Sequence, residues 1–518
     1  MDAIWQSASV TGILELAVVA LIAYAICRWV LRQQPKNLPP GPRGLRAMFE
    51  MIQAIRKNTL IELAAEWAER YGPIIYLSFM GKQIVFLNTP ELTRRVMTAD
   101  EYKLIVANRT PNSSAKISFV DGTDWVFLPY NSIMRKKRRM YHAVVSIYGD
   151  GVEKFESIVS DEMNILMEEL ERHENQDFQL GKFLARSLKH IVCILVVGER
   201  PKDVKTTDVL EEFDIAFNKI WAPEYDFALD RFPILAKIPC RFKTAVDRLK
   251  IATEKARELI YVSPKRSWIP GQPRGVADHV FDFQKKPGYE FLEKDPEQAA
   301  GFLMSLFGAA HLTSRGTLLS VFLCLVNYPA VQRKIHEEID RVIGDRAPKL
   351  EHKSNMPYTD AAILEILRLT TPIPFGGLRT SSDDIHIDGM TIPKNTLVLI
   401  NTGYFHHNER VWEDPWTFKP ERYLDEAGEL LPADHPIRKN LLPFGIGNRG
   451  CPGEVFARSR VFMFITSILQ KYHILPPTNE KLISADFRSN HDDVRGFIRQ
   501  VQPYKCRLRR REKIQNFR

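Results

Sequence analysis

The sequence predicts a mainly α-helical protein with small β-sheets, one large domain behind a single N-terminal transmembrane helix. Three observations predict this. Apolar residues recur at helical spacing through long stretches from Glu153 to about Leu259 and from Pro296 to Gly344, with Pro329 near the head of a charged helix and Gly344 at its tail. Strand-like alternation is confined to short segments near residues 74–87 and 385–401. No Ser/Gly-rich or Pro-rich stretch divides the chain after residue 45, although a length of 518 residues alone suggests roughly three units.

The membrane segment is read from the run Leu16 to Cys27, which is unbroken apolar and widens to 10–31 when Glu15 and Arg28 are accepted as border charges. That window meets the length of about 20 residues a helix needs to span a bilayer. Arg28, Arg32 and Lys36 follow it, so the positive-inside rule leaves residues 1–9 in the lumen and the bulk of the chain in the cytosol. A cleaved signal peptide is the rival, and Ala23-Tyr24-Ala25 resembles a cleavage box, but no positively charged n-region precedes it. Residues 32–44 form a Pro-rich hinge around Leu38-Pro39-Pro40-Gly41-Pro42, stiff enough to act as a spacer before the domain at 45–518. With this topology neither sequon, Asn108-Arg109-Thr110 nor Asn112-Ser113-Ser114, is glycosylated.

Within the domain, Leu60, Leu63, Ala64 and Trp67 mark a helix over 59–70 that stops at Gly72-Pro73. Ile74 to Phe79 and Gln83 to Leu87 flank Met80-Gly81-Lys82 as a hairpin. The segment Ile385 to Asn401, rich in Ile, Val and Thr around Gly389 and Pro393, reads as strands.

Composition excludes several classes. Lys and Arg total 72 against 63 Asp and Glu, and 45% of residues are hydrophobic, which rules out a disordered tail protein. Cys27, Cys193, Cys240, Cys324, Cys451 and Cys506 include no CxxC pair, so a disulfide framework and structural zinc are excluded. All but Cys451 read as small core hydrophobes. The end from Lys505 to Arg518 holds seven Lys/Arg against one Glu, but no aromatic-interleaved basic stripe accompanies it. It reads as a solvated or membrane-facing terminus, and no nucleic acid is expected as a partner.

Cys451 stands in Phe444-Gly445-Ile446-Gly447-Asn448-Arg449-Gly450-Cys451-Pro452-Gly453. A thiolate ligand needs positive surroundings and amides directed at sulphur, and flanking glycines let the chain approach a flat cofactor. Gly453 and Glu454 can donate amides where Pro452 cannot, and Arg449 is placed to meet an anionic group on the cofactor rim.

This segment resembles the Cys-ligand loop of the cytochrome P450 superfamily, FxxGxRxCxG, at every defined position, Phe444 and Gly453 included. The resemblance implies the cytochrome P450 fold with a haem-thiolate catalytic domain, haem b as cofactor and Cys451 as its metal ligand. It extends from the anchor to the Cys loop, and is most similar to fungal microsomal members typified by O-methylsterigmatocystin oxidoreductase.

Other segments match in order. Glu365-Ile366-Leu367-Arg368 fits the family's ExxR helix, and Phe418-Lys419-Pro420-Glu421-Arg422-Tyr423 resembles its PERF segment. Glu91/Arg94, Glu169/Arg172 and Glu338/Arg341 share the ExxR spacing, so order along the chain singles out Glu365. Glu365, Arg368 and Arg422 are expected to form a buried structural triad. Leu306 to Ser314 resembles the helix that crosses the haem face, with Thr313 and Ser314 as its catalytic hydroxyls. Ala310 stands where the family has glycine and Leu312 where it has an acid, so proton delivery falls to Thr313, Ser314 or ordered water, with His311 read as a spare core histidine. Arg138, in Met134-Arg135-Lys136-Lys137-Arg138, and Arg379 match positions that bind haem propionates, with Met134 replacing the family's tryptophan.

The resemblance implies a monooxygenase that inserts one oxygen atom of O2 into a lipophilic small molecule, a fungal secondary metabolite of polyketide, terpenoid or alkaloid type. Electrons must come from NADPH through a cytochrome P450 reductase, since no GxGxxG-bearing strand-turn-helix is present. The basic run Arg135 to Arg139 suits an acidic patch on that partner. The endoplasmic reticulum membrane is the implied location. A reductase-independent haem-thiolate isomerase or dehydratase, to which Leu312 lends some footing, and a non-catalytic haem sensor are the alternatives. Residues 104–127 and 213–240, with Ile105, Val106, Phe119, Trp125, Phe217, Trp221 and Phe227, are expected to supply pocket loops for an apolar guest.

Overall fold

A computed structural model describes residues 37–512 except 120–122, 150–151, 202, 487 and 489–497. The anchor at 10–31 and the lumenal segment 1–9 lie outside the described residues. The longer helices are α1 (Gly44–Lys57), α2 (Leu60–Tyr71), α3 (Pro90–Thr98), α4 (Ser132–Gly149), α5 (Val152–Glu171), α6 (Leu180–Val197) and α7 (Val204–Ile220). They continue with α8 (Pro223–Arg231), α9 (Arg241–Arg257), α10 (Val276–Phe283), α11 (Glu297–Asn327), α12 (Pro329–Val342), α13 (Pro357–Thr370) and α14 (Glu454–Lys471).

Local chemistry sets their ends. Thr89 caps α3 by accepting the Leu92 N–H at 3.2 Å, and Pro90 begins the helix where a missing donor costs nothing. Pro329 opens α12 for the same reason. The central helix α11 is buried over most of its surface, leaving the stripe Leu306, Ala309, Ala310 and Thr313 more open, and shows little amphipathy, as expected of a helix surrounded by others. It is long and apolar enough to cross a membrane, but its burial marks it as the core of the fold.

β1 (Ile74–Phe79) pairs antiparallel with β2 (Lys82–Leu87) across Met80-Gly81, both at positive φ. With β3 at Asp177–Phe178, the next strands are β4 (Arg379–Thr380), β5 (Ile385–Ile387), β6 (Met390–Ile392) and β7 (Leu397–Ile400). β7 lies parallel to β2 and antiparallel to β4, giving the order β1-β2-β7-β4. β5 and β6 form a hairpin, and β3 joins β8 (Tyr472–Leu475) and β9 (Cys506–Arg510) in a third sheet. Strands β1, β2 and β4 to β7 share a smaller apolar cluster of their own, the sheet lobe, whereas β3, β8 and β9 pack into the helical body and its larger cluster.

Two expectations change. The Pro-rich hinge is no free spacer over its described part: Pro40 O accepts the Tyr76 N–H at 2.9 Å and Asn37 O accepts that of Thr391 at 2.7 Å. Its backbone carbonyls complete the edges of neighbouring strands, which outweighs the solvated form. The basic C-terminal stretch is likewise structural as far as it is described, because β9 carries it into a sheet where Arg510 meets Glu174 at 2.7 Å. Of the cysteines, Cys193, Cys324 and Cys506 are buried, whereas Cys240 is only half-buried.

Candidate functional site

Cys451 belongs to a tight loop closed by two backbone bonds, Cys451 N–H to Phe444 O at 2.8 Å and Gly450 N–H to Gly447 O at 2.9 Å. Gly447 has φ +75°, and a Cβ there would stand 2.3 Å from Met97 O, so no other residue fits. The loop feeds directly into α14, whose first turn places unpaired amides behind the sulphur. A Cβ on Gly453 would sit 3.8 Å from Cys451 Sγ, which shows how near the Gly453 backbone lies. Cys451 is exposed toward a cavity of about 2070 Å³, its open mouth included. Desolvation by the surrounding protein pushes the thiol pKa up, while the Gly453 amide and the Arg138 and Arg460 charges pull it down. Burial thus favours the neutral thiol, and a cation bound at the sulphur would favour the thiolate.

Four guanidiniums, Arg109, Arg138, Arg379 and Arg449, line the same cavity. The sheet lobe assembles them. Thr380 N–H donates to Asn108 O at 2.9 Å, which lays Arg109 beside Arg379 on β4. Arg449 Nε donates to Ala107 O at 2.8 Å, and Arg138 Nη2 to Gly450 O at 3.0 Å. Gly377 lets Arg109 and Arg379 approach, since a Cβ there would lie 2.6 Å from Arg109 Nη2 and 3.1 Å from Arg379 Nη1. Burial, then mutual repulsion, pulls Arg379 and Arg449 down to about 9 and Arg109 well below the usual range. Among the described residues no carboxylate forms an ion pair with any of the four; buried Asp124, whose charge reaches Arg109 and Arg449, accepts the Phe127 N–H on its Oδ1 at 2.6 Å. Arg109 Nε and Trp125 Nε1 are buried without partners. Such an array is stable only with anions among it.

A haem fits this donor set. Its two propionates would answer the guanidiniums and the orphaned N–H groups, its iron would meet Cys451, and its ring would lie against Phe444, Leu306, Ala309, Ala310 and Ile373, all of which line the cavity. Arg109 is absent from the expected site, where the sequence shows it only within a sequon, and Trp125, expected as a pocket residue for the guest, stands instead among the groups facing the propionates, outside the WxxxR position. Trp125 stacks on Tyr141 at 5.0 Å, supplying an indole where Met134, also in the cavity wall, does not.

On α11, Thr313 and Ser314 both line the cavity. Thr313 Oγ1 donates to Ala309 O at 2.8 Å, leaving its lone pairs free; Ser314 Oγ accepts from Arg460 Nη2 at 2.8 Å, leaving its O–H free to donate. His311 points away from the cavity, with Nδ1 2.5 Å from Asp214 Oδ2 on α7 and both side chains fully buried. Leu312 is buried, and its carbonyl accepts from Gln500 Nε2 at 3.1 Å.

Glu365, Arg368 and Arg422 meet. Arg368 Nε and Nη2 donate to Glu365 Oε2 and Oε1, each at 2.8 Å, and Arg422 Nε donates to Glu365 Oε1 at 2.9 Å. The fork geometry and the Lys419 N–H at 3.1 Å satisfy the buried carboxylate.

Two site expectations need correction. Lys137 is fully buried, donates to Thr123 O and is pulled down to about 7 by burial, so it is no part of a docking face. Lys136 turns inward to Gly288 O at 2.6 Å, whereas Arg135, Arg139 and His142 are exposed. The helical period, which a run of consecutive basic residues conceals, turns these side chains to different faces. The stretch 104–127 does line the cavity, through Arg109, Trp125, Val126 and Phe127, but of the seven side chains expected from the sequence only Trp125 does so; Phe119, Phe217 and Trp221 pack into an aromatic layer with Phe127. Residues 213–220 and 223–231 are helical rather than loops. Ile373, Leu378 and Ile400, which sequence reasoning missed, complete the apolar wall.

A fold of this kind with a cysteine loop beneath a cationic cavity defines a haem-thiolate protein. The cytochrome P450 family model matches residues 39–506, and the chain belongs to that family. It is similar to cytochrome P450 2J3 of Rattus norvegicus, 29% identical over 94% of this chain and 95% of that protein. Cytochrome P450 2D6 of Homo sapiens is 27% identical over 95% and 98% of the two chains, and cytochrome P450 2J5 of Mus musculus 27% over 92% and 93%. The protein is a monooxygenase that uses haem with cysteine thiolate ligation and electrons from NADPH through a reductase.

Proposed function

We propose that Cys451 ligates the haem iron, that Arg109, Arg138, Arg379 and Arg449 hold the propionates, and that the substrate is a neutral lipophilic molecule. The observation that carries this is the gathering of four guanidiniums, three buried and Arg138 half-buried, with no carboxylate ion pair among the described residues, around the cavity into which Cys451 faces. When bound, thiolate-ligated haem supplies the oxidant that hydroxylates unactivated carbon. Thr313 accepts and Ser314 donates hydrogen bonds at the cavity wall, so the two hydroxyls order water and pass protons where Leu312 supplies no carboxylate. Phe127, Leu306, Ala309, Ala310, Ile373 and Ile400 exclude bulk water and hold an apolar guest. The finer reading is a polyketide, terpenoid or alkaloid of fungal secondary metabolism.

Residues 10–31 anchor the chain in the endoplasmic reticulum membrane with the catalytic domain cytosolic. Exposed Leu45, Met48, Phe49 and Ile52 on α1 support this, as do Phe232 and Ile234 just after α8, which packs against α1. The reductase docks on Arg135, Arg139 and His142.

A reduced carbon-monoxide difference spectrum of the wild type and of Cys451→Ala tests the ligand assignment. The thiolate-type band is expected only in the wild type, and its persistence in the variant refutes it. Substrate-induced shifts of the Soret band then rank candidate guests.

A further inference from the structure

Arg460, on α14, is 4% exposed and lines the cavity together with Cys451. Its Nη2 donates to Ser314 Oγ at 2.8 Å and its buried Nε has no partner. Among the described residues no carboxylate forms an ion pair with it. A guanidinium taken out of water ordinarily requires an opposite charge, and here the direct contact is a neutral hydroxyl. Burial lowers its pKa only to about 10, so it stays cationic at neutral pH.

Arg138 and Arg460 line the cavity with Cys451, and both their charges and that of Glu454 act on its sulphur. Glu454 is half-exposed and paired with Arg458 at 3.7 Å, so solvent and its partner screen it. Arg138 belongs to the guanidinium cluster that the propionates would face. Arg460 lies outside that cluster, keeps a charge that no carboxylate among the described residues answers, and is tied across from α14 to α11 by the Ser314 contact.

We infer that Arg460 is a tuning residue: its fixed positive charge favours the one-electron reduction of the iron that Cys451 ligates, raising the reduction potential of the centre. The inference rests on the ligand assignment proposed above. In the step concerned, one electron from NADPH passes through the reductase to the iron, no bond at the protein is made or broken, and the buried centre gains one unit of negative charge. A cation fixed nearby in low dielectric stabilises that added charge far more than one in water.

The test is a spectroelectrochemical titration of the purified holoenzymes without substrate, comparing wild type with Arg460→Gln, Arg460→Lys and Ser314→Ala. The carbon-monoxide band of each reports whether thiolate ligation is kept. Arg460→Gln is expected to lower the equilibrium constant for reduction about tenfold, which for one electron is about 59 mV toward negative potential. Arg460→Lys and Ser314→Ala, which keep the charge, are expected to stay near wild type. Should Arg460→Gln fail to retain haem, Arg460→Met is read in the same way. The inference is overturned if the neutral variants keep the band and the wild-type potential, or if Arg460→Lys or Ser314→Ala shifts as far as they do. A Cys451→Ala protein that retained the band would instead remove the ligand assignment, so the two failures are distinguishable.

Discussion

Arg368 Nη1 donates to the carbonyl of His406 over 2.6 Å, while the imidazole Nε2 of the same His406 accepts the Leu442 N–H at 3.0 Å. One buried residue thus couples the triad around Glu365 to the chain entering the Cys451 loop. Bracing of the loop is therefore a property of four side chains, and the fourth lies outside both recognisable motifs.

Removing Glu365 is expected to be severe. Glu365→Ala leaves Arg368 and Arg422 buried without their carboxylate, a loss of about 3 to 5 kcal/mol. The unfolding midpoint of the holoprotein and its haem content after purification report it. Wild-type values for both would mean that the triad carries no structural load.

His406 gives the fold an acid-sensitive element. Burial, followed by the charges of His407 and Arg368, holds its pKa well below the imidazole range, and the Leu442 contact requires an unprotonated Nε2. Below pH of about 6.5 the unfolded chain takes up a proton there that the folded chain does not. Stability present above that pH is thus lost as pH falls, by about 1.4 kcal/mol per unit for this ring. Denaturant titrations across this range should show a shallower acid slope for His406→Gln than for the wild type; equal slopes would count against the assignment.

Arg109 should matter to cofactor retention as much as the motif arginines do. Arg109→Leu removes charge-assisted hydrogen bonds worth about 1.5 to 3 kcal/mol, or roughly ten- to hundredfold in haem dissociation. Transfer of haem to an apoglobin scavenger measures this directly, and an unchanged rate would show that Arg138, Arg379 and Arg449 suffice.

Burial separates the basic residues of α4. Charge reversal at Arg135 and Arg139 is expected to slow reduction by the reductase at low salt, with the difference fading as ionic strength rises. Lys137→Gln is expected to act on stability through Thr123 and Asp124, leaving the salt dependence of reduction as in the wild type. Stopped-flow reduction over a salt series distinguishes them, and a salt response to Lys137→Gln would contradict its burial.

Local sequence determined a good deal: the helical periodicity, the strands at 74–87 and 385–401, the glycine-bounded Cys451 loop, the order of Glu365, Arg422 and Cys451, and the hydroxyls of Thr313 and Ser314. Each is a matter of spacing along one segment, governed by backbone period or turn chemistry, so it survives without knowledge of neighbours. Tertiary structure alone decided the rest. Arg109 faces Arg379 because a bond between Thr380 and Asn108 joins distant segments, and Lys137 turns inward while Arg135 stays in water because α4 packs on one face. Arg460 stands against Ser314 because α14 and α11 cross beside the cavity. Charge compensation and desolvation depend on what folding brings within a few ångströms of a side chain, and no pattern along a single segment carries that information.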